Sequence, residues 1–148
     1  MHIAKRGLQP GETRDLGNGL CLRWSRAGDT PAIAELAGQV FHGDNSSFNQ
    51  SQADWVINLL SGEYPLMGPG DFALIEDTRP GQEGLVAITC YWQHIWEYAG
   101  IPFKVGRPEF VATLPAYRNQ GLVRALFAEV HARSQDEGDL VQVITGIP

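Results

Sequence analysis

Cysteine is scarce in this sequence. Cys21 and Cys90 are the two cysteines among 148 residues, and they lie far apart in apolar, strand-like segments. This spacing excludes a disulfide framework and a paired zinc-ligand pattern. We expect both to be buried, reduced thiols, because a free cysteine in an apolar segment behaves as a small hydrophobic residue. Reduced thiols are typical of the cytoplasm, so we expect the protein to be cytoplasmic.

Long apolar runs and an excess of basic residues are missing too. No stretch approaches the ~20 apolar residues of a membrane span, and residues 1–10 are too polar for a signal peptide. The 11 Lys and Arg are outnumbered by 17 Asp and Glu, which gives a formal net charge of -6. A nucleic-acid-binding protein carries a basic surface instead, so we expect neither nucleic acid nor membrane as a partner. Negative charge favours a cationic substrate such as an amine, although solubility alone also accounts for it.

Patterns for metal ligands and nucleotide loops are also not visible. None of the four histidines stands at ligand spacing from another, so we predict no metal. No Ser–His–Asp arrangement is apparent. Gly17-Asn18-Gly19 lacks the flanking strand and helix that a nucleotide-binding loop needs.

What the sequence does contain is the periodicity of one mixed domain. Its length and 43% hydrophobic content allow a single core. Residues 1–19 are rich in glycine and poor in large apolar residues, which predicts a flexible leader or an irregular N-terminal arm. Over residues 20–148, periodicity predicts one α/β (α+β) domain in the order β-α-α-β-β-β-α-β. Strands are predicted at 20–24, 72–76, 85–96, 101–114 and 140–145, and helices after the caps Asp29 and Ser51 and over 121–135.

The segment 111–124 is the most informative part of the chain. Its sequence, VATLPAYRNQGLVR, is typical of a strand, a turn and a glycine-bearing loop that enters a helix directly. The first N–H groups of a helix have no partner within it, and the helix dipole places partial positive charge there. Such a connection therefore makes an anion site. The alternative is an ordinary connection whose glycine only permits a tight turn.

The loop resembles a known signature. Arg118-Asn119-Gln120-Gly121-Leu122-Val123 is similar to the pyrophosphate-binding signature of the GNAT superfamily of N-acetyltransferases: Arg or Gln, two variable residues, Gly, one variable residue, then Gly or Ala. Val123 stands where the signature has Gly or Ala at its last position. The resemblance implies the acyl-CoA N-acyltransferase fold, a mixed and mostly antiparallel sheet flanked by helices, with acetyl-CoA as co-substrate. Within the superfamily, the loop looks most similar to aminoglycoside acetyltransferases of the enhanced-intracellular-survival type.

The resemblance also implies which residues hold acetyl-CoA. Loop amides would bind the pyrophosphate, while the main chain of the preceding strand would bond the pantetheine arm and polarise the thioester. The residues matched in this way are Val111, Ala112, Thr113, Arg118, Asn119, Gln120, Gly121, Leu122, Val123 and Arg124. Arg118 and Arg124 can equally be solvated charges at a helix end. Thr145 and Gly146 match the place where the following strand meets the co-substrate.

Two residues are candidates for the base that deprotonates an amine acceptor. Glu109 leads, because the resemblance implies a glutamate on this strand in that role. Its alternative is an exposed strand-end glutamate beside Arg107. His94 is second, because the unperturbed histidine pKa of about 6.5 suits proton transfer. Its alternative is a strand histidine with an ordinary hydrogen bond.

Aromatic residues accompany these candidates. Alternation places Trp92, His94 and Trp96 on one face of their strand. Together with Tyr98, the tryptophans either pack into the core or line an acceptor pocket. We expect Tyr117 to pack on the helix rather than to donate a proton.

The resemblance finally implies a helix and two strands beyond the strand at 140–145, whereas the sequence ends at Pro148. We therefore expect a C-terminally incomplete domain, whose final strand has a free edge that favours self-association or a completing chain. The expected function is transfer of acetyl from acetyl-CoA to an amine, on a small molecule rather than a protein. The alternatives are an acyl-CoA-binding or partner-binding module without turnover, and an inactive fragment of a longer acetyltransferase.

Overall fold

The computed structural model describes residues 6–42 and 48–145. Its elements are, in chain order, β1 (Thr13–Gly17), β2 (Leu20–Trp24), a 3₁₀ turn (Ala27–Asp29), α1 (Thr30–Val40), α2 (Gln50–Leu59), β3 (Phe72–Asp77), β4 (Gly84–Tyr98), β5 (Ile101–Thr113), a 3₁₀ turn (Pro115–Tyr117), α3 (Leu122–Glu137) and β6 (Val141–Gln142). The strands form one sheet in the order β1-β2-β3-β4-β5-β6. Only β5 and β6 are parallel neighbours. The predicted fold class, with a mostly antiparallel mixed sheet flanked by helices, is confirmed.

The first strand was not predicted. Residues 13–17 lie in the stretch expected to be flexible or irregular, yet they form β1 and pair with β2. Gly17, Asn18 and Gly19 all have positive φ and make the tight β1–β2 connection. A short edge strand with half its side chains exposed carries no apolar run, so the glycines dominated the sequence signal.

The helix starts differ from the prediction in detail. Asp29 does not cap α1; its carboxylate accepts from the Arg26 N–H at 2.7 Å and binds the Arg23 guanidinium. Asn49, rather than Ser51, caps α2 through a bond from the Gln52 N–H at 3.2 Å. No helix in the described part of the chain is long and apolar enough to span a membrane.

The sheet separates two apolar clusters, one on each face. Residues such as Leu74, Ile88 and Trp92 pack with α1 and α2 on one face. Their strand neighbours, including Ile75 and Tyr91, pack with α3 on the other. The predicted alternation along β4 is thus confirmed as far as Trp92, which is a core residue.

The two cysteines and the hairpin aromatics differ in exposure. Cys90 is buried, and burial raises the pKa of its thiol, whereas Cys21 is half-buried rather than buried. Trp96 is exposed and Tyr98 is 79% exposed, because the β4–β5 hairpin extends past the helices. The turn is shorter than predicted: Ala99 and Gly100 alone, with φ of 51° and 79°, connect the paired residues Tyr98 and Ile101.

A fully buried glutamate ties α3 to the N-terminal part of the sheet. Glu129 accepts hydrogen bonds from the Leu8 N–H at 2.6 Å and from Trp24 Nε1 at 3.0 Å. Its other carboxylate oxygen, Oε2, forms an ion pair with Arg14 at 2.9 Å. One side chain therefore joins a helix, two strands and the segment before β1.

We expect Glu129→Ala to lower the free energy of unfolding by about 3 kcal/mol, because it leaves Arg14 and two donors without their partner. Urea unfolding followed by circular dichroism measures the change. Glu137→Ala, at an exposed position on the same helix, is the matched control and should stay within about 0.5 kcal/mol of the parent. Equal effects of the two substitutions would contradict the assigned role.

Candidate active site

Strands β5 and β6 are paired at only two positions in the described part of the chain. Val105 and Gly106 pair with Val141 and Gln142, and the Val143 N–H reaches the Gly106 carbonyl at 3.0 Å. The predicted strand over 140–145 is therefore much shorter than expected. Among the described residues, β6 does not continue beside residues 109–113, so no described strand pairs with that edge of β5.

A bulge in β5 lies where the two strands separate. Phe110 has a φ of 52°, and the β4–β5 register shifts between the pairs Cys90–Glu109 and Ile88–Ala112. A bulge adds a residue to one strand, bends it and increases its twist. The bulge therefore bends β5 after its last pair with β6, at Gly106, and before the loop that follows the strand.

The free edge of β5 leads directly into the loop that the sequence singled out. After the 3₁₀ turn, Asn119 and Gly121 have φ of 62° and 77°, and α3 starts at Leu122. A Cβ on Gly121 would meet open space, so the glycine is required for its backbone conformation rather than for room. No side chain caps α3, so its first N–H groups remain available.

An open cavity of about 520 Å³ lies between this edge and the start of α3. It is lined by Val40, Val111, Thr113, Tyr117, Arg118, Asn119, Gly121, Leu122, Val123 and Arg124. Of the co-substrate residues predicted within 111–124, Ala112 and Gln120 do not line it: Ala112 is buried in the core, and the Gln120 side chain bonds the Ala116 carbonyl. Thr145 lines a different cavity.

The electrostatics of this cavity fit an anionic ligand. Arg118 and Arg124 are exposed, and neither has a carboxylate partner within the described residues. The first turn of α3 contains no acidic residue. Cations near a helix N-terminus are unfavourable by roughly 0.3–1 kcal/mol each without an anion to neutralise them. The donors and charges therefore fit a diphosphate. Val123, which is 40% exposed and lines the cavity, is bulkier than the Gly or Ala of the signature.

A hydrogen bond from Tyr117 attaches the loop to the sheet. The Tyr117 hydroxyl donates to Asp77 on β3 at 2.7 Å, and Arg79 binds the same buried carboxylate. The Arg79 and Tyr117 bonds hold the pKa of Asp77 well below its usual range, and Asp77 in turn raises the pKa of Tyr117. Tyr117 therefore positions the loop.

A smaller cavity of about 250 Å³ surrounds Glu109. Glu109 Oε1 accepts from Arg107 at 2.7 Å and from the Thr145 hydroxyl at 2.8 Å. Oε2 has no hydrogen-bond partner among the described residues. Arg107 and Trp55 line this cavity but were not predicted as site residues. Arg107 is two residues from Glu109 on β5, whereas Trp55 on α2 is brought to it only by the fold.

His94 lies apart from Glu109. Its ring stacks against Trp92 at 5.4 Å, and it lines a different groove along β4. Burial and the nearby Arg107 lower its pKa, and Nε2 has no partner. The structure therefore does not bring the two candidate bases into one cavity. Trp96 and Tyr98 do not line the Glu109 cavity either, and Gly146 lies outside the described residues.

Comparison with known proteins identifies the family. A family model described as acetyltransferase (GNAT) domain matches residues 22–148. No match is found among curated protein sequences. The chain belongs to the acetyltransferase (GNAT) domain family.

Solved structures show the same fold at low sequence identity. Glucosamine-6-phosphate N-acetyltransferase from Arabidopsis thaliana is 14% identical, with a TM-score of 0.60 over 86% of this chain and 82% of that one. AAC(6')-Iy, in complex with the bisubstrate analogue CoA-S-monomethyl-acetylneamine, is 15% identical, with a TM-score of 0.60 over 87% and 80%. A probable N-acyltransferase from Enterococcus faecalis V583 is 13% identical, with a TM-score of 0.66; the match covers 87% of this chain but 30% of that longer one.

We expect Asp77→Asn to destabilise the protein at pH 7 and clearly less at pH 2. Because the folded-state pKa of Asp77 is lowered, its stabilisation is complete above the ordinary carboxyl pKa of about 3.9 and is lost as the pH falls toward the lowered value. Urea unfolding of both proteins at the two pH values measures the difference. Asp54→Asn, at an exposed site on α2, should change the free energy of unfolding by the same amount at both pH values. A pH-independent difference for Asp77→Asn would contradict the assignment.

Proposed function

We propose that this protein transfers the acetyl group of acetyl-CoA to a primary amine on a small molecule. The observation that carries the proposal is the cavity at the start of α3. There, helix N–H groups without a side-chain cap and two arginines without a carboxylate partner among the described residues adjoin the end of β5. Its family membership supports the same reaction class. The Glu109 cavity on the same strand would hold the acceptor.

The two halves of the site have separate tasks in this proposal. Backbone N–H groups of residues 119–124, with Arg118 and Arg124, would bind the diphosphate of the co-substrate. Val111 and Thr113 would present main-chain groups to its pantetheine arm, although the Thr113 carbonyl also accepts from Arg118 Nε at 3.3 Å. The Thr113 hydroxyl, buried without a partner among the described residues, is a further available group. When bound, acetyl-CoA supplies an activated acetyl group as a thioester.

Glu109 would accept the proton that the amine loses. Its Oε1 is held by Arg107 and Thr145, which leaves Oε2 as the free basic atom. As the amine nitrogen bonds to the acetyl carbon, the carbon–sulfur bond breaks and the proton leaves the nitrogen for Oε2. Because the lowered pKa of His94 keeps that ring neutral at pH 7, His94 is the second candidate for the same task.

A first experiment tests the binding half. Acetyl-CoA at about 100 times its dissociation constant should stabilise the wild type by about 2.7 kcal/mol, seen as a rise in Tm. Gly121→Asp should abolish that rise, because it places a negative charge at the anion site.

The matched control is Gly81→Asp. Gly81 has nearly the same φ, 79° against 77° for Gly121, and a Cβ at either position meets open space. The two variants should lose similar stability without ligand, while Gly81→Asp keeps the ligand-induced rise. A rise retained in Gly121→Asp, or none in a folded wild type, would contradict binding at this loop.

A second experiment tests the chemical half. Glu109→Gln should lower kcat roughly 100-fold or more while acetyl-CoA binding persists, because the amide cannot accept the proton. Free thiol release with an amine acceptor measures turnover. His94→Gln serves as the comparison and should leave most of kcat. A larger loss of kcat in His94→Gln than in Glu109→Gln would identify His94 as the base. Co-substrate binding with no turnover in the wild type would favour the binding-module alternative, to which the bulky Val123 points.

A further inference from the structure

The Glu109 cavity has an aromatic wall that is only partly covered. Trp55 of α2 and Phe41, just after α1, both pack edge-on against Phe110, with ring centroids 5.0 and 5.9 Å apart. Trp55 nevertheless stays 47% exposed beside the cavity. An apolar or aromatic ligand body would cover this surface, and burying it would be favourable.

Arg107 has unused hydrogen-bond donors at the same cavity. Its Nη2 binds Glu109 and Thr145, and its guanidinium lies 5.6 Å from the centre of the Trp92 ring. Nε is buried with no acceptor, and Nη1 has none among the described residues. Leaving buried donors unmet is costly, so the arginine is suited to an oxygen acceptor on a ligand.

The adjacent charges select against a polycation. Arg107 and Glu109 are 2.7 Å apart and together nearly neutral. A ligand with several ammonium groups would meet one carboxylate already paired with a guanidinium. A ligand with one ammonium next to one carboxylate matches both members of the pair.

We propose that the acceptor is a free α-amino acid with an apolar or aromatic side chain. Its carboxylate binds Arg107, its amine faces Glu109 Oε2, and its side chain lies against Trp55 and Phe110. The cavity volume of about 250 Å³ is compatible with a molecule of this size rather than an oligosaccharide. This inference rests on the proposed function for its reaction, although not for its binding.

The reaction balances without any further reactant. The ammonium loses one proton to water, and the neutral amine attacks the thioester carbon. The new C–N bond forms as the C–S bond breaks, the second proton passes to Glu109, and one proton returns to the sulfur. The products are an N-acetyl amino acid and free coenzyme A.

Binding calorimetry on the complete chain without acetyl-CoA tests the inference. L-phenylalanine should bind at least about 10-fold more tightly than 2-phenylethylamine, which lacks the carboxylate, and than 3-phenylpropanoate, which lacks the amine. Phenylalanine amide and spermidine should also bind more weakly. Arg107→Gln should remove the advantage of phenylalanine over 2-phenylethylamine, whereas Arg6→Gln, at an exposed surface pair, should keep it.

A second pair of variants covers the case in which Arg107→Gln does not fold. Trp55→Ala removes a half-exposed side chain and should weaken phenylalanine binding roughly 10-fold. Tyr98→Ala removes an exposed aromatic from the hairpin end and should leave binding unchanged.

The outcomes separate this inference from the proposed function. Tight binding of spermidine, equal binding of 2-phenylethylamine, or no binding of phenylalanine overturns the amino acid acceptor. Equal binding of phenylalanine amide also overturns it, and points to a peptide N-terminus. Because no acetyl-CoA is present, these results do not depend on the thermal shift of Gly121→Asp, whose failure would overturn the proposed reaction instead.

Discussion

The site depends on the early separation of β5 from β6. Were the two strands paired along their whole length, the β5 backbone would be saturated and no ligand arm could bond to it. The bulge at Phe110 bends β5 and changes which side chains reach each face around Glu109. Residues on either side of this bulge line the two cavities, Val111 and Thr113 the larger one and Arg107 and Glu109 the smaller one.

Three polar contacts hold the helix and loop that complete the site. Glu129 attaches the middle of α3 to β1 and β2, and Asp139, just after α3, accepts from Tyr91 and Ser134 close to Gly106. Tyr117 attaches the loop to Asp77. The N–H groups at the start of α3 are thus held on a frame that several contacts attach to the sheet. Such preorganisation lowers the entropic cost of binding.

The sequence was informative where the structure is local. The loop around Gly121, its strand and its helix depend on residues adjacent in the chain, and the resemblance matched nearly all the cavity's lining. Features assembled from distant segments could not be foreseen. Trp55 on α2 and Thr145 after β6 reach the cavity around Glu109 from distant parts of the chain. Asp29 does not cap α1 because its carboxylate binds the Arg23 guanidinium instead. The edge strand β1 was missed because hydrophobic pattern, the main signal for strands, is weakest where one side faces water.

The contact between Leu8 and Glu129 has a consequence for the order in which the protein is made. The two residues are separated by 121 positions. During synthesis at ~5–20 residues per second, the N-terminal segment waits roughly 6–24 s before its partner exists. Until then, α3 is not yet available to contact β1 and the segment before it. Completion of the fold is therefore a late, long-range event, and a nascent chain is exposed to chaperones and proteases for that whole interval.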